Sequence, residues 1–242
     1  IYLSKDSGST WDDMGLNKSE HISKIIVHPD NSNIIWVASQ GPLWNSGGDR
    51  GLFMSTDGGN SWSNKLYVNE WTGVTDIIID PTNPDILYAA TWQRHRNVAS
   101  LIDGGPGTSI YKSIDGGNTW NKIDSGLPSS NMGKIGLAIS PMKPEVIYAA
   151  IELDRRSGAV YRSDNSGGVW KKMSNTVAGA TGPHYYQELY ASPHVFDRIY
   201  LMNVRVLVSD DGGGTWNQIW YKAGADLESN DGASTTTAGS NW

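Results

Sequence analysis

Five copies of one spaced pattern run down this chain: a Ser, an Asp two residues on, a Gly two after that, and a Trp three further. They read SKDSGSTW (Ser4, Asp6, Gly8, Trp11), STDGGNSW (Ser55, Asp57, Gly59, Trp62), SIDGGNTW (Ser113, Asp115, Gly117, Trp120), SDNSGGVW (Ser163, Asn165, Gly167, Trp170) and SDDGGGTW (Ser209, Asp211, Gly213, Trp216). A motif that returns five times fixes an architecture before it says anything about chemistry. The motif tryptophans at 11, 62, 120, 170 and 216 are 51, 58, 50 and 46 positions apart. Periods of about 40–50 residues are those of propeller blades with four strands each.

The rest of each period supplies the strands. Four segments carry two β-branched runs joined by a Pro-containing turn: KIIVHPDNSNIIWVAS, DIIIDPTNPDILYAAT, GLAISPMKPEVIYAAI and ELYASPHVFDRIYLMN. Each second run has a central aromatic, Trp36, Tyr88, Tyr148 or Tyr200. Such runs bounded by Pro, Asn and Asp read as hairpins. A third strand leads into the motif and a fourth begins at its Trp. The expected fold is all-β, a propeller of four-stranded antiparallel blades whose c–d turns are the motif. A partial blade spans residues 1–14, and full blades span about 21–66, 74–124, 134–173 and 186–220. Residues 221–242 are polar without strand pattern and read as linker or tail. The last blade has its own fourth strand, so the leading hairpin has no incomplete partner to close onto. The expectation is a piece of a larger ring.

Composition narrows the classes. A net charge of -6 argues against nucleic-acid partners. No Cys is present, which excludes disulfides, thiolate catalysis and Cys-ligated metals. No apolar run approaches the ~20 residues that span a bilayer. The 11 Trp and 11 Tyr against 2 Phe suit repeated β-units in which a ring both packs and donates a hydrogen bond. No metal-ligand cluster, cofactor motif or phosphate-cradling glycine loop is seen. The chain opens without Met inside a repeat, so any leader is expected outside this segment.

Within each motif the Gly takes the positive φ of a tight turn and the Asp accepts backbone N–H groups. A catalytic acid is needed once per site, whereas this carboxylate recurs once per blade, and Asn165 replaces it in the fourth copy. The motif is therefore read as scaffold. It resembles the Asp-box, or bacterial neuraminidase repeat, of sialidases, xyloglucanase-type glycoside hydrolases, the sortilin propeller and plant photosystem assembly factors. The longer blade text, including GPLWNSGGDRG, ATWQRHR and GPHYYQELYASPHVFDRIY, is similar to large bacterial proteins with sortilin-like propellers that carry a glycosyl-hydrolase label. The Arg-Ile-Pro tripeptide of sialidases does not occur.

Topology directs the search for a site. The a–b turns and the motif turns lie on one face. The b–c loops and inter-blade links lie on the other and vary in length, as functional loops on a rigid scaffold do. Candidate ligand-binding residues there are Trp44, Trp71, Trp92, Arg94, His95, Arg96, Arg155, Arg156, His184 and Tyr185. The competing reading is that the tryptophans fill gaps between blades and the charges are solvated. Glycoside hydrolysis needs two carboxylates about 5–10 Å apart, and Asp49, Glu70, Asp103, Glu152 and Asp154 are the candidates on this face. The resemblance implies a secreted or cell-surface bacterial module that binds a peptide or glycan, joined to the rest of the same polypeptide. The alternatives are a glycoside hydrolase and an assembly scaffold.

Overall fold

The computed structural model describes residues 1–154, 157–175, 188–202 and 205–219. Its elements are strands alone among the described residues. A two-stranded hairpin, β1 (Tyr2–Leu3) and β2 (Asp12–Asp13), leads. Four antiparallel four-stranded sheets follow. Blade 1 holds β3 (Ile22–His28), β4 (Asn31–Ser39), β5 (Gly51–Ser55) and β6 (Ser63–Leu66). Blade 2 holds β7 (Thr72–Ile79) and β8 (Leu87–Gln93), then β11 (Ile110–Ser113) and β12 (Asn121–Lys122). Its b–c loop carries a small hairpin, β9 (His95–Arg96) and β10 (Leu101–Ile102). Blade 3 holds β13 (Ile135–Ile139), β14 (Ile147–Asp154), β15 (Ser157–Ser163) and β16 (Lys171–Ser174). Blade 4 holds β17 (Glu188–Ala191), β18 (Ile199–Met202), β19 (Val206–Ser209) and β20 (Asn217–Gln218). This is the all-β blade order expected from the repeats. The proposed tail at 221–242 lies outside the described residues.

The core lies between blades. Trp36, Ala38 and Leu52 of blade 1 pack on Ile77, Leu87 and Ala89 of blade 2. Ile78, Tyr88 and Ala90 then meet Leu137, Ile147 and Ala149 of blade 3. Ala138, Tyr148 and Val160 meet Leu189, Ile199 and Leu201 of blade 4. Strand alternation explains the division, because successive side chains face opposite sides of a sheet. Each blade is thus apolar on both faces.

The five motif turns share one hydrogen-bond scheme. In the second, Ser55 Oγ donates to Asp57 Oδ1 at 2.7 Å and accepts from the Gly59 amide at 2.8 Å. Asp57 also accepts the Ser61 amide on Oδ1 at 2.9 Å and the Ser61 hydroxyl on Oδ2 at 2.6 Å. These donors hold the Asp57 carboxyl down at about 2, with the Ser61 hydroxyl the main cause. The motif glycines all have positive φ, from +84° at Gly167 to +97° at Gly213. In every full blade the residue before that Gly donates its amide to the a–b turn: Gly58 to Asn33, Gly116 to Asp85, Ser166 to Glu145 and Gly212 to Asp197. Both turn sets are therefore tied together on one face.

The fourth copy explains its own exception. Asn165 Oδ1 keeps the Ser163 hydroxyl and the Val169 amide, both at 2.8 Å. Where the other copies place Thr10, Ser61, Thr119 and Thr215, whose hydroxyls bond the second carboxylate oxygen, this copy has Val169. With no hydroxyl to receive, a second anionic oxygen has no task, and an amide suffices.

Two predictions follow from this turn. Ser55→Ala strands the buried Gly59 amide and should destabilise the chain by about 1–3 kcal/mol in urea unfolding. Asp57→Asn should lower the melting temperature in the native background but much less in a Ser61→Val background. A double-mutant cycle showing no coupling between the two positions would contradict the account of Asn165.

Candidate functional site at the b–c mouth

The starts of the four innermost strands and the first two b–c loops enclose a cavity of about 500 Å³. Lys24 and Asp76 enter it from β3 and β7, each just after a β-bulge. A bulge re-aims the residues beside it, and here it turns two charged side chains onto the cavity wall. Counted back five from the turn prolines Pro29, Pro81, Pro141 and Pro193, the positions are Lys24, Asp76, Gly136 and Glu188. All four line the cavity. Lys134, two residues before Gly136 and on the same side of its strand, supplies the charge that Gly136 lacks.

Asp76 is fully engaged. Its Oδ1 accepts Lys24 Nζ and the Ile77 amide, and its Oδ2 accepts the Leu137 amide of blade 3, all at 2.8 Å. One carboxylate thereby joins three blades at the channel wall. Glu188 accepts Tyr190 Oη at 2.8 Å. Lys134 is buried, and burial lowers its ammonium pKa against the opposing charges of Glu188 and Asp76.

The residues expected from sequence fall into clear groups. The consecutive Arg94, His95 and Arg96 each pair with one of the three loop tryptophans. The Arg94 guanidinium lies 4.9 Å from the Trp92 ring, and that of Arg96 lies 5.4 Å from Trp44. His95 meets the edge of Trp71 at 4.1 Å. Trp92 is only 2% exposed and donates Nε1–H to the Asp103 carbonyl, so its ring packs into the wall. Trp44 is 52% exposed, beside the cavity-lining Arg96. Burial, with Arg50 adding repulsion, lowers Arg94 to about 10, and its Nε lacks a hydrogen-bond partner. Arg155, Arg156, His184 and Tyr185 lie outside the described residues.

Among the carboxylate candidates, Asp103 lines the cavity. Asp49 accepts the Lys18 amide at 2.9 Å, and Glu70 is exposed and does not line the cavity. Glu152 is buried and accepts the Lys134 amide at 3.3 Å. A Cβ on the adjacent Gly133 would come within 2.5 Å of Glu152 Oε2. Asp154 ends β14. No group of three or more His, Cys, Asp or Glu able to hold a metal ion occurs among the described residues.

One organising residue carries no motif. Arg50 is buried at the end of the loop Ser39–Arg50, and its guanidinium donates to five carbonyls: Gln40, Pro42, Asn45, Gly47 and Trp71. The loop and the Trp71 link are wrapped round one cation. Gly41, at φ +72°, passes so close that a Cβ would lie 2.8 Å from the guanidinium. Arg50 was not among the residues singled out from sequence, and the clue available was the pair Gly47 and Gly48 just before it, both at positive φ.

The model of the Sortilin-Vps10 family, described as sortilin, neurotensin receptor 3, matches residues 1–133. The chain belongs to the Sortilin-Vps10 family. This Sortilin-Vps10 chain is also similar to a xyloglucanase of a Paenibacillus species, 23% identical over 255 residues covering 88% of this chain and 23% of that protein. A xyloglucanase of Hypocrea jecorina is 25% identical over 257 residues, covering 91% and 29%. The chain thus spans roughly a quarter of the length of these relatives. The GH74 xyloglucanase structure from Xanthomonas campestris superposes with a TM-score of 0.66 at 17% identity, over 88% of this chain and 34% of that one. An α-L-arabinanase of Penicillium chrysogenum gives 0.52 at 17% identity, over 90% and 72%. At these identities the superpositions establish the propeller fold of the Sortilin-Vps10 chain.

Arg50 gives the site its sharpest test. Arg50→Met leaves a set of buried carbonyls without donors and should cost about 3 kcal/mol or more in unfolding free energy. Arg50→Lys, with three donors in place of the planar fork, should recover only part of that. Full recovery by Lys would show that charge, and not the fork, holds the loop.

Proposed function

We propose that this chain is a ligand-holding propeller module that takes a glycan segment at its b–c mouth, within a larger exported bacterial protein. The observation that carries the reading is the composition of the 500 Å³ wall. Lys24, Lys134, Arg94 and Arg96 stand among Asp76, Asp103 and Glu188, with Trp92 and Tyr190 beside them, and the exposed Trp44 lies against Arg96 of this wall. A sugar hydroxyl both donates and accepts, so a wall offering both kinds of group suits a polyhydroxyl ligand better than a wall of one sign. Exposed indole supplies an apolar platform for the C–H face of a pyranose ring. The volume falls in the range of about 300–1,000 Å³ typical of ligand sites. The relatives named xyloglucanase and arabinanase agree with a glycan, and polysaccharides are met outside the cell. A peptide is the other occupant the wall admits, and the same assay separates the two.

A second reading, glycoside hydrolysis, is favoured by one observation: Asp103 and Glu188 line the same cavity. Asp76 is committed to joining blades 1, 2 and 3 through three accepted hydrogen bonds. A catalytic pair at this mouth would be Asp103 and Glu188.

The test is a panel of soluble polysaccharides and peptides in titration calorimetry and reducing-end assays. Binding of a glycan is expected, weakened about tenfold or more by Trp44→Ala, a loss of about 1.4 kcal/mol, with the unfolding midpoint unchanged. Saturable binding by peptides alone would refute the glycan assignment. Turnover that disappears in both Asp103→Asn and Glu188→Gln would replace binding by hydrolysis.

A further inference from the structure

Two buried guanidinium groups flank Gly41 at the b–c mouth. Arg50 is 1% exposed, and all its recorded acceptors are backbone carbonyls. Arg94 is 7% exposed and lines the cavity, and its Nη2 donates to the Gly41 carbonyl at a long 3.4 Å. Its Nε has no hydrogen-bond partner. Among the described residues no carboxylate lies within ion-pair distance of Arg94. Burial and the neighbouring charge of Arg50 both loosen its proton. A buried charge with so few partners is costly for a fold to keep. In a cavity wall, that cost points to a ligand that supplies the missing partner.

Elsewhere on the wall the charges are engaged. Asp76 holds Lys24 at 2.8 Å, and Glu188 accepts the Tyr190 hydroxyl. The unmatched positive charge sits on one loop. Arg96, two residues beyond Arg94, also lines the cavity and is not ion-paired to any described residue. Each of the two guanidinium groups lies over an indole, Arg94 on Trp92 and Arg96 on Trp44. An indole face orients a guanidinium without neutralising it, and leaves the N–H edge for a planar oxyanion. This is a local property, because the chain as a whole carries a net charge of -6.

We infer that the glycan taken at this mouth is an acidic one, and that the carboxylate of a uronic acid residue seats on Arg94 and Arg96. The inference rests on the glycan reading of the cavity and narrows it to one substrate class. A carboxylate matches the planar guanidinium fork two atoms to two. Asp103 and Glu188 stand on the same wall, where they accept from the sugar hydroxyls. They also limit the charge that can enter. A monoanion gains more from the two arginines than it loses to these carboxylates, whereas a doubly charged phosphate meets twice the repulsion.

Titration calorimetry tests this with polygalacturonate and alginate, each beside its carboxyl-reduced form, and with dextran sulfate. At least one uronate polymer is expected to bind about tenfold or more tightly than its reduced form. That preference should vanish in Arg94→Gln and weaken in Arg96→Gln, a change on the exposed side of the loop. Arg94→Gln removes a buried charge that lacks an ionic partner, so its unfolding midpoint should equal or exceed that of the native chain. A lower midpoint would make Arg94 a brace of its loop and overturn the inference. Equal binding of the charged and reduced polymers also overturns it, while leaving the glycan reading in place. Dextran sulfate binding as tightly as the uronates would show general attraction for anions and overturn the carboxylate assignment. No binding by any polymer, with or without retention of an acidic peptide, removes this inference and the glycan reading together.

Discussion

The buried serine hydroxyl of the Asp-box is the interaction on which the rest of this molecule depends. It accepts the amide of a glycine held at positive φ and donates to the carboxylate or amide two residues on. That fixes the turn, and the fixed turn presents a carbonyl in a constant place. The preceding blade then uses that carbonyl as an acceptor for Trp36 or Tyr88. Motif tryptophans fasten the junction from the other side: Trp62 donates to the Met14 carbonyl, Trp170 to the Ile123 carbonyl and Trp216 to Ser174 Oγ. Local turn chemistry thereby becomes long-range packing. Trp11, with no preceding blade in this chain, is exposed, whereas Trp170 is buried.

This division of labour leaves the opposite face free. Its loops differ in length, and each is stabilised by a device of its own. Loop 39–50 is wound on Arg50, whereas loop 93–108 is fastened by Trp92 on Asp103 and by Gln93, which accepts the Gly107 amide. Loops held by private interactions can change without disturbing the turns on the far side, which is how a repeat scaffold accommodates a site.

The fold was legible because its signals are redundant. Five spaced motifs and four Pro-turn hairpins point to the same blade, and consistency across levels is what makes a pattern readable. The site was less so. Trp44, Trp92 and Asp103 were picked out by their loops, but their pairing with Arg94 and Arg96 is a matter of three dimensions. Lys24, Asp76, Lys134 and Glu188 were missed because a charged residue opening an apolar run reads as a strand end. Their shared place before the turn proline was the available clue, hidden in blade 3 by Gly136 and a two-residue shift to Lys134. Arg50 was missed because GGDRG reads as a polar turn, and a guanidinium satisfied wholly by carbonyls leaves no charge pattern in the sequence.

Asp76 shows why the innermost wall limits the chemistry at this mouth. A carboxylate that accepts an ammonium and two amides is held in one orientation, and in return it joins blades 1, 2 and 3 at the point where the cavity opens. Such a group shapes the site by holding its neighbours in place, because losing it would leave the Ile77 and Leu137 amides and the Lys24 ammonium without this acceptor. Glu188 stands at the equivalent place in blade 4, where its recorded partner is a phenol of its own strand. The same register position thus serves as a staple where blades flank it on both sides, and remains nearer to solvent where the face beyond it is open. Whatever ligand enters this cavity meets a rigid wall on the side of blades 1 to 3. On the side of blade 4 it meets Glu188 and Tyr190, whose surroundings depend on what packs against them.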